Sequence, residues 1–179
     1  ETPEFATYKH FLEQQPQAPF KQILKHFRTP LWQMVAFGSF LASSLAVYTF
    51  FMPVFLSSYY HFPLAQILKY NSYSIIVFII SALLAGKFHY LFGKPFLILS
   101  LIVFNITNFM LFNHYAELTL QQITFIHYGI LFYIGIICGR LPVLAASFFP
   151  TQVRYSGVAL SYNISFGIVA GLTQLILFR

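Results

Sequence analysis

The chain has 179 residues, 58% of them hydrophobic and only 8% charged, with Phe alone present 23 times. Ordinary soluble domains carry roughly 25% charged residues, so these few charges cannot cover a fold of this size in water, and the solvent must be lipid. The formal charge of +6 therefore marks cytoplasmic loops of a membrane protein rather than a nucleic-acid surface. The single cysteine, Cys138, lies in an apolar run and rules out a disulfide framework.

Residues 1–30 read as a polar, basic lead-in on the cytoplasmic side. Within it Phe20, Ile23, Leu24 and Phe27 recur at helical spacing, with Lys21, Lys25 and Arg28 on the other face. That pattern predicts an amphipathic helix lying either in the headgroup plane or on the protein surface. Residues 31–179 then form a transmembrane bundle of five apolar segments: about 31–58, 70–92, 95–112, 122–149 and 157–178. Each is near the roughly 20 residues that a bilayer requires. The fold class is an all-α membrane protein. Trp32 and Tyr59-Tyr60 bound the first span as interfacial anchors, and Pro142 bends the long fourth one.

Charge sets the orientation. Lys9, Lys21, Lys25, Arg28, Lys87, Lys94 and Arg154 flank one set of ends, and the opposite loops offer Lys69 alone. The N-terminus is thus expected in the cytoplasm. The first thirty residues are polar and contain prolines and do not read as a signal peptide; the chain begins with Glu1 and stops at Arg179 directly after an apolar run, so it reads as a piece of a larger protein.

Polar groups inside a span are costly and mark candidate sites. Arg140 is the sharpest, either a cationic partner for a substrate carboxylate or a side chain that snorkels or bonds carbonyls freed by Pro142. Asn105 and Asn108, three apart, read as interhelical hydrogen-bonding groups. Gly135 and Gly139, and again Gly167 and Gly171, form small-xxx-small faces suited to helix packing. His127 reads as an interfacial side chain near a membrane boundary. The carboxylates, Glu1, Glu4, Glu13 and Glu117, all lie outside the spans, so a proton relay would draw its acid from another part of the protein. No catalytic constellation and no metal-ligand spacing is present; no enzyme activity, cofactor or metal is expected.

The run Phe149-Pro150-Thr151, Val153-Arg154-Tyr155, Gly157 and Tyr162-Asn163 resembles the loop between helices ten and eleven of the metabolite:proton symporters. This branch of the major facilitator superfamily includes the proline/betaine and α-ketoglutarate permeases. Glu1-Thr2-Pro3-Glu4-Phe5 resembles the segment after helix six, and Met52-Pro53 the pair in helix seven. Gly86, Gly93 and Lys94 keep the spacing of the family's cytoplasmic loop motif, which on its own is equally an ordinary tight turn. Tyr90 stands at that motif's Asp, Ser147 replaces the usual Glu of the later loop, and Gln152 an Arg.

The resemblance implies five spans equivalent to helices 7–11 of a twelve-helix fold, with Gly86, Gly93, Lys94, Pro150, Arg154 and Gly157 in the gating loops. It implies that helices seven and ten line the cavity, nominating Tyr48, Met52 and Tyr133 beside Arg140, each with packing as its alternative role. The expected function is that of a partial secondary active transporter, taking up a small polar metabolite (a carboxylate or zwitterion) by alternating access, proton-coupled in the complete protein. The implied partners are membrane lipid, a missing N-terminal half, the metabolite and a proton, but no nucleic acid. The expected location is the bacterial inner membrane. The alternative is a truncated remnant without transport, which loss of the motif acids keeps open.

Overall fold

The computed structural model describes residues 19–88, 94–114, 117–151 and 153–179, with backbone alone for 19, 20 and 94–97. The Glu1–Phe5 segment, Tyr90, Gly93, Gln152 and the Lys94 side chain lie outside the described residues. Helix α1, Pro19–His26, buries Ile23 completely while Lys21 and Lys25 stay exposed. The helix packs against the start of the last helix, while Leu24 on the same apolar face stays exposed.

Helix α2, Arg28–Tyr60, is 33 residues long, about 50 Å at the α-helical rise, and so outreaches the roughly 30 Å hydrocarbon core. It contains a π-helical stretch, Ala46–Phe51, where the Met52 N–H reaches back to the Val47 carbonyl. Pro53 has no N–H for the carbonyl four residues earlier, that of Thr49. The Asn71 side chain supplies the donor instead, its Nδ2 lying 3.0 Å from that oxygen. The helix stops at His61, which is left-handed at φ 54°, with the Phe62 N–H returning to the Leu56 carbonyl in the manner of a Schellman cap.

Helix α3 runs Leu64–Lys87, beginning at Leu64 rather than near Tyr70, because Pro63 at its N-cap restarts the chain after the turn. Helix α4 covers Lys94–His114. Helix α5, Leu120–Phe148, opens on a reciprocal capping box between Thr119 and Gln122 and continues through Pro142. Helix α6, Arg154–Leu177, holds a second π stretch at Asn163–Val169.

Four of these, α2, α3, α5 and α6, are long and apolar enough to cross a membrane, and α4 carries a shorter apolar stretch, Ile98–His114. Burial is distributed inside out. Ser74, Ser81, Ser161 and Ser165 are buried, while Leu83, Ile102, Phe109 and Ile176 are exposed. Small polar residues at helix contacts and large apolar ones outside are what a lipid solvent selects. The chain is a membrane-embedded, all-α bundle.

The most extensive interface joins α3 to α5. A Cβ on Gly135 would stand 2.6 Å from the Phe78 carbonyl oxygen, and one on Gly139 would stand 2.9 Å from the Ala82 carbonyl carbon. The backbones therefore touch only because those side chains are absent. The second glycine pair behaves differently from expectation. Gly167 and Gly171 have nothing within 4 Å of a Cβ position, because α6 turns them away from the other described helices. The close approach of α6 to α2 is made elsewhere, at Gly38, where a Cβ would lie 2.7 Å from Ser165 Oγ. Ser165 also donates to the Val35 carbonyl at 3.0 Å, and Ser43 and Thr173 share a hydrogen bond at 3.0 Å.

Candidate functional site

Two groups of candidate residues lie at different levels of the bundle. The first surrounds Tyr48, which the π stretch of α2 carries into the core at 2% exposure. Its hydroxyl donates to Asn108 Oδ1 on α4, and Asn108 Nδ2 in turn donates to the Phe104 carbonyl at 2.6 Å. The Tyr48 ring meets Phe104 edge-on and also meets the imidazole of His127, at 5.5 Å between centroids and 64° between planes. Asn108 thus makes the interhelical bond expected of it. Asn105 instead bonds back to Leu101 in its own helix and stays exposed.

Below Tyr48 lies a cavity of about 20 Å³ lined by Met52, Pro53, Leu56, Ile67, Tyr70, Asn71, Leu120, Ile123, Thr124 and His127. Its volume suits about one water molecule. Met52, 1% exposed, is part of its wall. His127 is the correction here: it is not an interfacial side chain. Its Nε2 is buried and has no hydrogen-bond partner among the described residues. Position along the sequence placed it near the membrane boundary, but α2 continues beyond that level and covers it.

The second group is on α5. Tyr133 and Arg140 are seven residues apart, so they share a face two turns apart. Both are half-buried, and the Arg140 Nε is buried. Tyr133 stands edge-on to Phe132 at 5.8 Å. By helical rotation that face points away from His127, and Arg140 is about 20 Å farther along the axis. The structure therefore brings Tyr48 and Met52 together with His127, and not with Arg140 or Tyr133.

The turn between α5 and α6 is built around Phe149. Its ring is 2% exposed and lies over Gly157, where a Cβ would be 2.7 Å from two ring carbons. Arg154 Nε donates to the Phe149 carbonyl at 3.2 Å, satisfying an acceptor that the end of α5 leaves open. Val153 N–H bonds the Pro150 carbonyl at 3.1 Å, and Pro150 itself is exposed. On the same side of the bundle Gly86 lies against α5, with a Cβ position 3.6 Å from the Gly139 carbonyl. Arg154 and Gly157 hold the turn's shape through Phe149.

Sequence reasoning passed over Asn71, Gly38 and Ser165, and read His127 only as an interfacial side chain. Asn71 could have been found from Pro53, since a proline within a span leaves a carbonyl that some polar side chain must satisfy. Among the described residues no group of three or more His, Cys, Asp or Glu could hold a metal ion.

No protein-family model matches the chain, and no solved structure matches it. Over 97% of its length it is 29% identical to the glycine betaine/proline/ectoine/pipecolic acid transporter OusA of Dickeya dadantii (strain 3937), and it spans 36% of that protein. The chain is thus a membrane-embedded helical bundle similar to one part of a solute transporter.

Proposed function

We propose that the chain is one portion of a secondary transporter of the major facilitator type, moving a small polar solute across a membrane. The observation that carries this reading is the similarity to a betaine and proline transporter along almost the whole chain, in a bundle whose outer surface is apolar. In the complete protein two helical halves rock about a midplane site, and this chain supplies part of one half. The solute is a carboxylate or zwitterion. Arg140 is its anion contact, and Tyr133, on the same face of α5, lines the path. Tyr48, packed against α4 and α5, and Met52, in the cavity wall between α2, α3 and α5, shape that wall from behind. Transport is proton-coupled, the membrane is a bacterial inner membrane, and the N-terminus is cytoplasmic. The chain has no enzymatic role.

Uptake by the complete protein in proteoliposomes, with labelled glycine betaine, proline, other amino acids and dicarboxylates, tests the reading. Saturable uptake of at least one zwitterion, driven by an inward proton gradient, is the expected result. Binding and transport of none of them would leave the non-transporting remnant as the better account.

A further inference from the structure

We propose that the cavity between α2, α3 and α5 is a proton-binding site, in which one water held by Asn71 and Thr124 hands a proton to His127 Nε2. Three observations meet there. The cavity has room for about one water. A buried water requires two to four polar partners, and His127, Asn71, Thr124 and Tyr70 all line the space. The one of these whose buried ring nitrogen has no partner among the described residues is His127. Buried polar atoms are ordinarily satisfied by protein or by water, so the empty valence of Nε2 and the water-sized space beside it explain each other.

The step balances simply. With the ring hydrogen on Nδ1, the Nε2 lone pair takes a proton from the water, an N–H bond forms and an O–H bond breaks, and the water is re-protonated from the aqueous side. The resulting imidazolium stands 5.5 Å from the Tyr48 ring, within reach of a cation–π contact. Around it the titratable groups are Tyr48 from α2 and Tyr70 from α3, while α4 reaches it through Asn108, the acceptor for Tyr48. Tyr128 follows it on its own helix, and Lys69 on α3 is exposed. At the end of α4, His114 and Glu117 pair with each other at 3.4 Å and are exposed. Among the described residues no Asp, Glu, Lys or Arg lines the cavity, so the proton brings a new charge to a neutral pocket.

That charge sits beside the π stretch of α2. Asn71 ties α3 to the Thr49 carbonyl in that stretch and also lines the cavity, so a charged His127 competes for the water and for Asn71 with the strap between α2 and α3. The inference rests on the transporter reading for its purpose, which is to let proton occupancy bias the packing of α2. The site itself stands on the cavity and the histidine.

The test uses the complete protein in lipid nanodiscs with ¹⁵N-labelled histidine rings. The resonances missing from His127→Gln identify His127. They are expected to change reversibly from the neutral to the imidazolium pattern on acidification, with near-ultraviolet dichroism unchanged. They should also show exchange with a bound water that Thr124→Val removes. A His127 ring that stays neutral until the protein unfolds, or an Nε2 coupled directly to a protein group, overturns the proposal. Binding of labelled glycine betaine and proline is measured in the same samples. If both bind, wild-type affinity should change with pH and that of His127→Gln should not, and equal pH dependence in the two sinks the coupling role. If neither binds, the transporter reading falls, and the histidine titration alone decides the site.

Discussion

The backbone of Gly139 lies against the carbonyl of Ala82 with no room between them for a methyl group. Together with Gly135 against Phe78 it lets α3 and α5 touch along their length. Gly135→Val or Gly139→Val should therefore destabilise the bundle by about 1–3 kcal/mol through overpacking. Gly167→Ala, made into open space, should stay within about 0.5 kcal/mol of wild type. Thermal unfolding of the complete protein in detergent measures both, and equal melting temperatures for Gly139→Val and wild type would reject this interface.

Tyr48 and Asn108 join α2 to α4 through an interhelical hydrogen bond. Such bonds within membranes contribute about 0.6 kcal/mol on average and at most about 1.7. Tyr48→Phe should cost about that much, and Asn108→Leu should cost little more in the Tyr48→Phe background. A double-mutant cycle measures the coupling, and strict additivity would mean that the two groups act independently.

At the turn into α6, Gly157→Ala pushes a methyl group into the Phe149 ring. The expected loss is about 1–3 kcal/mol, with slower uptake because the turn loses its shape. Phe149→Leu, which removes the obstructing ring edge, should recover part of the loss. A double variant no better than Gly157→Ala would show that the ring is not the obstacle.

Arg140→Gln removes the proposed anion contact on α5. Charge-assisted hydrogen bonds contribute about 1.5–3 kcal/mol, so the affinity for an anionic or zwitterionic solute should fall at least about tenfold. Uptake kinetics check this, and unchanged uptake would remove Arg140 from the site.

The charge bias predicts that the α4–α5 connection faces outward. Asn113→Cys and Gln121→Cys, in a Cys138→Ser background, should react with an impermeant maleimide in intact cells. Labelling only after permeabilisation would invert the topology.

The lipid solvent and the helices were legible in the residues, because both follow from local composition. Apolar runs near bilayer length locate spans, whereas the start of α3 after Pro63 and the capping box of Thr119 and Gln122 at α5 came from the structure. The tight approach of α3 and α5 was also written in Gly135 and Gly139, since a missing side chain has the same consequence wherever a partner exists. Whether a partner exists is a different matter. Gly167 and Gly171 carry the same spacing and face open space, and Gly38, with no glycine four residues away, is the one that meets Ser165.

The site depended on tertiary placement even more. Tyr48 and Arg140 look equally central in the chain, but their neighbours are set by helix rotation, by a π stretch that propensity does not reveal, and by axial offset. His127 looked peripheral because sequence measures distance from a helix end. What governs a buried imidazole is which other helices extend past it, and here α2 does. Composition determined that this polypeptide lives in oil and in what pieces. Only packing decided which polar atoms the oil would leave to find partners among themselves, because a contact between residues far apart in the chain has no local cause.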